Sequence, residues 1–189
     1  MNVMIIGAAG YVGRILTKAA LKKNIRTTAV IRESEVYKIS DFNLKIERRE
    51  PLDPILEKIM EQHSDIVIAP ILQDKIVKER RLAYKSIINK IKDSGIRNVI
   101  FLFDEIADFD LSKEIAEMMK KEDSIEWSII IISKSSESGE RRGNYKYEEY
   151  KWETIRSNNP VLLEDISDAL IDELENKKNR HKVVTIEYN

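Results

Sequence analysis

The chain has 189 residues, of which 42% are hydrophobic and 34% are charged, values typical of one soluble globular domain. Its 32 Lys and Arg and 33 Asp and Glu residues give a net charge of −1, which argues against a nucleic acid or an acidic membrane as partner. There is no cysteine, so disulfides, thiolate catalysis and cysteine-ligated metals are excluded. No stretch approaches the roughly 20 apolar residues that cross a bilayer, and no leader pattern precedes the first strand. We therefore expect a cytoplasmic protein made of a single domain, residues 1–189.

The first half of the chain alternates short apolar runs with apolar residues at helical spacing. The runs predict strands at Asn2–Ile6, Ile25–Ile31, around Leu44–Ile46 and at Asp65–Leu72. Helical spacing predicts one helix through Val12–Ala20 and another through Leu52–Met60, with Pro51 and Pro54 suited to its first turn.

The second half continues the alternation. It predicts a helix through Tyr84–Ile91 ended by Gly95, a strand at Val99–Phe103, a helix at Leu111–Glu122, a strand at Trp127–Ile132, a helix through Ile166–Leu174 and a strand at Lys182–Tyr188. Strands that alternate with helices through short connections favour right-handed crossovers. We therefore predict an α/β fold with three α/β/α layers: a doubly wound, mostly parallel sheet with helices on both faces.

A glycine-rich segment, GAAGYVG at Gly7–Gly13, joins the first predicted strand to the first predicted helix. In this position tight glycine turns let backbone N–H groups approach a pyrophosphate, and the helix N-terminus adds partial positive charge. Gly7 would make the turn, Gly10 would admit the phosphate, and Gly13 would let the helix pack on the sheet. We interpret Gly7, Ala9, Gly10, Tyr11, Val12 and Gly13 as cofactor-binding; the alternative is a turn without a nucleotide role.

The spacing G-x-x-G-x-x-G, followed about twenty residues later by AVIRESE, resembles the atypical short-chain dehydrogenase/reductases with an NAD(P)H-binding, NmrA-like domain of Rossmann type. It is also similar to the N-terminal part of isoflavone-reductase-like enzymes. Coarse resemblance covers nearly the whole chain, whereas the specific motifs lie in its first third. The resemblance implies a nicotinamide dinucleotide cofactor.

Arg32 follows the second predicted strand, where an acidic residue would bind an NAD ribose and an arginine would pair with the 2′-phosphate of NADP. The resemblance implies that NADP(H) is preferred, while NAD(H) would also be accepted; an exposed surface arginine is the alternative. Arg14, directly after the last glycine, would either lie over the phosphates or face water.

The resemblance also places Glu50 at the adenine amino group, with Pro51 beside it, although Asp53 is close and could instead cap the next helix. Ala69, Pro70 and Ile71 end the fourth predicted strand, where the wall of a nucleotide site is expected.

The usual catalytic residues of short-chain dehydrogenases are missing. Phe103 and Asp104 stand where serine is expected, and the only Tyr-x-x-x-Lys, Tyr147 to Lys151, falls in a charged segment and is interpreted as a coincidence. Asp104, Lys113, Ser133 and Lys134 are the polar groups left near the expected nicotinamide end; Asp104, Ser133 and Lys134 are weak catalytic candidates, and Asp104 or Lys134 could serve as proton donor, with solvated loop residues as the favoured alternative.

The remaining polar features do not predict a further site. His63 and His181 lack further ligands at metal-binding spacing, so no metal is expected. The segment ERRGNYKYEEYK alternates like an exposed strand or hairpin, and its acidic residues favour a flap over a substrate cleft rather than nucleic-acid binding.

Two functions remain. The first is a small NAD(P)H-dependent reductase, NADPH preferred, that transfers hydride to an unidentified small molecule; the second is a catalytically inactive NADP(H) sensor that signals through a protein partner. Epimerase or dehydratase chemistry fits worst, because those enzymes generally need the Tyr/Lys pair and a larger C-terminal lobe. We favour the reductase.

Overall fold

The computed structural model describes residues 1–96, 98–132, 139–152 and 160–189. In chain order, these ranges form β1 (Asn2–Ile6), α1 (Tyr11–Lys22), β2 (Arg26–Ile31), β3 (Leu44–Arg48), α2 (Ile55–Met60), β4 (Asp65–Ile68), α3 (Val77–Ser94), β5 (Asn98–Asp104), α4 (Phe109–Met119), β6 (Glu126–Ile132), β7 (Tyr145–Glu149), α5 (Leu163–Asn176) and β8 (Lys182–Tyr188).

The strands form one sheet in the order β3-β2-β1-β4-β5-β6-β8-β7. Neighbouring strands from β3 to β8 are parallel, and β7 alone joins its neighbour β8 in antiparallel pairing. The strand order reverses direction at β1, which lies between β2 and β4. The predicted doubly wound, mostly parallel sheet is therefore confirmed.

Both faces of the sheet are covered. Met4 and Ile6 of β1 belong to the core beneath α2, α3 and α4, whereas Val3 and Ile5 belong to the core beneath α1 and α5. This alternation follows from the two-residue period of a strand, and it explains why the central strands read as continuous apolar runs. The result is the predicted three-layer α/β/α arrangement.

Several element boundaries differ from the prediction by a few residues, and two of these differences have a clear local cause. The second helix begins at Ile55, because the Asp53 carboxylate accepts a hydrogen bond of 2.8 Å from the Ile55 N–H and turns the chain there. The fourth strand ends at Ile68 and does not continue to Leu72. The Ala69 N–H still bonds the Ile6 carbonyl, at 2.9 Å, but Pro70 has no N–H with which to extend the ladder.

The two edges of the sheet carry similar ion pairs. On β3, Lys45 lies 2.8 Å from Glu47, and on β7, Lys146 lies 2.6 Å from Glu148. The segment around β7 forms a strand, as its alternation predicts, and this strand is one border of the sheet.

A buried carboxylate fixes the approach to β7. Asp165, at the start of α5, is fully buried and accepts hydrogen bonds from the N–H groups of Arg142 and Gly143, at 3.1 and 3.0 Å, and from the Tyr188 hydroxyl, at 2.8 Å. Burial by itself raises the pKa of Asp165, but these donors outweigh burial and hold the pKa below its ordinary value.

Candidate functional site

The glycine-rich turn is built on the end of β2. Gly7 has φ +81°, a conformation that favours glycine. The N–H groups of Gly7 and Ala8 both donate to the Val30 carbonyl, each at 3.2 Å, and the Gly10 N–H donates to the Gly7 carbonyl at 3.1 Å. The turn is therefore fixed before any ligand arrives.

Gly13 lets the first helix approach this turn closely. A Cβ at Gly13 would lie 2.3 Å from the Gly7 carbonyl oxygen and 2.7 Å from the Ala8 Cα. The sequence predicted that Gly13 would let the helix pack on the sheet, whereas in the structure Gly13 lies against the backbone of the glycine turn.

The amino end of α1 carries an uncompensated partial positive charge. Gly10 is its N-cap, without a side chain to bond the first N–H groups, and no acidic residue lies in its first turn. Among the helices of the described ranges, α2, α3, α4 and α5 each have at least one acidic residue in the first turn. The end of α1 therefore leaves its N–H groups and dipole available to an external anion.

A cavity of about 370 Å³ opens beside Gly7 and Gly10, at the carboxyl ends of β1, β2 and β4, where the strand order reverses and where ligands of open α/β sheets bind. In chain order its lining residues are Ile6, Gly7, Gly10, Val30, Ile31, Arg32, Glu35, Arg49, Pro51, Leu56, Pro70, Ile71, Leu72, Gln73 and Asp74. Eight of these residues are apolar, two are glycines and five have polar or charged side chains, a combination that can bind and orient a small molecule.

Six predicted cofactor-binding residues line this cavity: Gly7, Gly10, Arg32, Pro51, Pro70 and Ile71. The other six, Ala9, Tyr11, Val12, Gly13, Glu50 and Ala69, are not among the lining residues that the structure describes. Tyr11 is 57% exposed, whereas Ala69 is buried behind the turn, where its carbonyl would lie 3.3 Å from a Cβ at Gly7.

Glu50, which was predicted to lie at the adenine amino group, is not among the lining residues that the structure describes. Its side chain is exposed, and Arg49 lines the cavity instead. The Arg49 N–H donates to the Ile31 carbonyl at 2.9 Å, which holds Arg49 beside the end of β2.

Arg32 lies at the rim between two carboxylates. Its Nε is 3.1 Å from Glu35 Oε1, and its Nη1 is 3.2 and 3.3 Å from the two carboxylate oxygens of Asp74. The Arg32 N–H also donates to Glu35 Oε2, at 2.8 Å. The hydrogen bond from Arg32 holds the pKa of Asp74 below its ordinary value. Asp74 was missed in the sequence because a loop 42 residues from Arg32 brings it to the site; Glu35 follows Arg32 by three residues, and its role as a partner of Arg32 was not predicted.

Two further arginines fix the loop that carries Arg32. Arg48 Nη1 donates to the carbonyls of Arg32, Glu33 and Glu35, at 3.3, 3.1 and 3.0 Å. The rim of the cavity on the β2 side is therefore held by a side chain of the neighbouring strand.

Arg14 holds the next part of the same loop. Its Nε donates to the Ala9 carbonyl at 2.6 Å, its Nη2 donates to the Val36 carbonyl, and its guanidinium lies 5.2 Å from the centre of the Tyr37 ring. Neither sequence alternative for Arg14, over the phosphates or in water, describes this structural role.

The candidate proton donors find little support. Asp104 Oδ1 accepts hydrogen bonds from the N–H groups of Ile106 and Ala107, at 2.9 and 2.7 Å, so this carboxylate shapes the turn after β5. Lys113 is exposed on α4, and Ser133 and Lys134 lie outside the described residues. The Tyr147 hydroxyl bonds the Ala169 carbonyl, in agreement with the interpretation of Tyr147 and Lys151 as a coincidence.

A buried ion pair supports the β4 side of the cavity. Arg80 and Asp108 are 5% and 1% exposed and form an ion pair. Asp108 Oδ2 also accepts hydrogen bonds from Gln73 Nε2, at 3.1 Å, and from the Asp104 N–H, at 3.0 Å. Asp108 thus ties the loop of Gln73 to the end of β5. A buried arginine in α3 offered no sequence signal, because its partner lies 28 residues away.

The remaining predicted features lie elsewhere. β7 is at the far border of the sheet from β1, β2 and β4, so this strand lies away from the cavity beside the glycine turn. His63 bonds the Ile59 carbonyl and the Thr28 hydroxyl, each at 2.8 Å, and burial lowers the pKa of His63.

The ranges that the structure describes contain no group of three or more His, Cys, Asp and Glu side chains that could hold a metal ion. They also contain no helix with the length and apolar character required to traverse a bilayer.

Several solved structures share the fold of this chain. A proposed epimerase from Bacteroides thetaiotaomicron has a TM-score of 0.83 and 23% identity, covering 99% of this chain and 96% of its own. A Rossmann-fold NAD(P)-binding family protein from Shigella flexneri has a TM-score of 0.76 and 16% identity, with coverage of 99% and 93%. The anaerobillin reductase ChuY from Escherichia coli has a TM-score of 0.71 and 15% identity, with coverage of 100% and 97%. The sheet topology and these structural neighbours show a Rossmann fold. No family model matches the sequence, and no curated protein matches it either.

Proposed function

We propose that the protein is an NAD(P)H-dependent oxidoreductase that prefers NADPH and reduces a small molecule. The observation that carries the proposal is the fixed glycine turn, which presents an uncompensated helix N-terminus to a cavity at the strand-order reversal. A Cβ at Gly10 would lie 3.3 Å from the Gly7 carbonyl and 3.8 Å from the Pro70 carbonyl, so the turn leaves a cradle that a side chain would fill. These features fit a pyrophosphate. Proteins of the same fold include an NAD(P)-binding protein and a reductase, which supports the proposal.

The residues divide the cofactor between them. The N–H groups at the start of α1 would hold the pyrophosphate, Pro51 and Leu56 would pack on the adenine side, and Arg32 would pair with the 2′-phosphate. Glu35 could accept a hydrogen bond from a ribose hydroxyl, which would allow NADH to bind as well. When bound, the nicotinamide supplies a hydride, and the acceptor gains that hydride and one proton.

The cofactor assignment is tested by calorimetric titration of the protein with NADPH, NADP, NADH and NAD. We expect the phosphorylated pair to bind more tightly. If none of the four binds, the glycine turn has no nucleotide role and the proposal fails.

Arg32→Ala tests the basis of the preference. Loss of a charge-assisted bond to phosphate should weaken NADPH binding by about 1.5–3 kcal/mol, roughly 10- to 150-fold in Kd, and leave NADH within about twofold. Arg26→Ala is the matched control, since Arg26 is exposed at the opposite end of the same strand. Equal weakening of NADPH and NADH by Arg32→Ala would remove Arg32 from the 2′-phosphate.

A second function is a redox sensor that binds NADP(H) without catalysis and acts through a protein partner. The geometry of Asp104, a candidate proton donor, favours this function, because its carboxylate accepts hydrogen bonds from the N–H groups of its own turn. Oxidation of NADPH by any member of a panel of quinones, flavins and aldehydes would decide for the reductase. Tight binding with no oxidation across the panel would decide for the sensor. A cytoplasmic location and a single domain remain predictions.

A further inference from the structure

The ion pair between Arg32 and Asp74 spans the mouth of the cavity. Arg32 follows β2 and Asp74 follows β4, so a hydrogen-bonded contact of 3.2 Å joins two loops that are 42 residues apart. Both residues line the cavity. A nucleotide phosphate that binds the Arg32 guanidinium therefore has to compete with the Asp74 carboxylate, which is already bound to it.

The two carboxylates on Arg32 are held differently. Glu35 bonds both the backbone N–H and the Nε of Arg32, and its own carbonyl is held by Arg48. Asp74 contacts only Nη1, and its side chain is 56% exposed. Exposed ion pairs are weak, so Asp74 is the partner that an incoming dianion replaces.

We propose that Asp74 is an internal competitor for the 2′-phosphate of NADP(H), and that it sets how strongly the protein discriminates between NADPH and NADH. The inference rests on the proposed function. A 2′-phosphate takes the place of the Asp74 carboxylate on Nη1 of Arg32, and Asp74 moves into solvent. NADH has no phosphate at this position, so the Arg32–Asp74 pair persists when NADH binds.

The preference for NADPH is therefore smaller than an unpaired arginine would give. Two effects of Asp74 act in the same direction. Its carboxylate occupies the guanidinium before binding, and its negative charge remains close to the phosphate after displacement. Asp74→Asn removes both effects and keeps the size of the side chain.

The test is a titration of NADPH and NADH into the wild type, Asp74→Asn, Arg32→Ala and the double variant. We expect Asp74→Asn to tighten NADPH roughly two- to tenfold and to leave NADH within about twofold. In the Arg32→Ala background the same substitution should give much less gain, because the competition acts through Arg32. Glu79→Gln is the matched control for net charge, since Glu79 is exposed on α3 outside the cavity lining.

A second probe locates the effect on the nucleotide. Adenosine 2′,5′-bisphosphate should gain affinity from Asp74→Asn as NADPH does, and adenosine 5′-monophosphate should not. Equal gains for NADPH and NADH, no gain for either, or a full gain without Arg32 would each overturn the inference while leaving nucleotide binding intact. Absence of binding by every nucleotide and every variant would instead refute the proposed function, and the inference with it.

Discussion

Gly13→Ala tests how closely the first helix approaches the glycine turn. The new methyl group would lie 2.3 Å from the Gly7 carbonyl oxygen, where ordinary contact begins at 3.4 Å, an overlap of 1.1 Å. The neighbouring atoms cannot easily retreat, because they are backbone atoms. The Gly7 N–H is bonded to Val30, and its carbonyl accepts the Gly10 N–H.

The expected loss of stability follows from two opposing effects. Alanine improves the intrinsic helix propensity by about 1 kcal/mol. Overpacking against fixed backbone costs about 3 kcal/mol, the upper end of the usual range. The net loss is about 2 kcal/mol, which corresponds to a decrease in Tm of about 4–8 °C for a domain of this size.

Thermal unfolding followed by circular dichroism measures this loss, and Gly10→Ala is the control. A Cβ at Gly10 would lie 3.3 Å from the nearest oxygen, so we expect Tm to fall by less than about 2 °C while NADPH binding is lost. A Gly13→Ala protein that melts within about 1 °C of the wild type would refute the close contact. Equal destabilisation by the two substitutions would refute the division of roles between these glycines.

Asp108→Asn leaves the buried Arg80 guanidinium without its counter-ion, and we expect a loss of about 3–5 kcal/mol in urea unfolding; an unchanged midpoint would show that the pair is not needed. Asp165 has a lowered pKa in the folded protein, so its ionised form stabilises the fold above pH ~4, and this stabilisation is lost as the pH falls through the folded pKa. The stability difference between the wild type and Asp165→Asn should therefore shrink from pH ~6 to pH ~3, and a difference that stays constant with pH would contradict this assignment.

The sequence predicted the order and type of the elements because the central strands are buried on both faces. A run such as Asp65–Ile68 or Trp127–Ile132 has no solvent-facing positions, so composition alone identifies it. Element ends were less accurate because they depend on local bonds. The start of α2 is set by the Asp53 carboxylate and the end of β4 by Pro70, and hydrophobic spacing reports neither effect.

The candidate site was predictable where it depends on backbone geometry. Gly7, Gly10 and Gly13 lie within seven residues of one another, so their spacing alone predicts the glycine turn and the start of α1. Asp74 reaches Arg32 only after the loops that follow β2 and β4 have come together, because 42 residues separate the two, whereas Glu35 is three residues from Arg32. The loop of Glu35 is positioned by Arg48, across a strand pair, and long-range bonds of this kind leave no periodic trace in the sequence.

The ion pairs on β3 and β7 bear on how the protein behaves at high concentration. The described sheet has eight strands, seven of them parallel, and ends at β3 and β7; an edge strand can present unpaired backbone groups to which another molecule could add a strand. Lys45 with Glu47, and Lys146 with Glu148, place charge on both borders. A strand that docked there would have to desolvate these charges. These charged residues thus disfavour the addition of a further strand at either border.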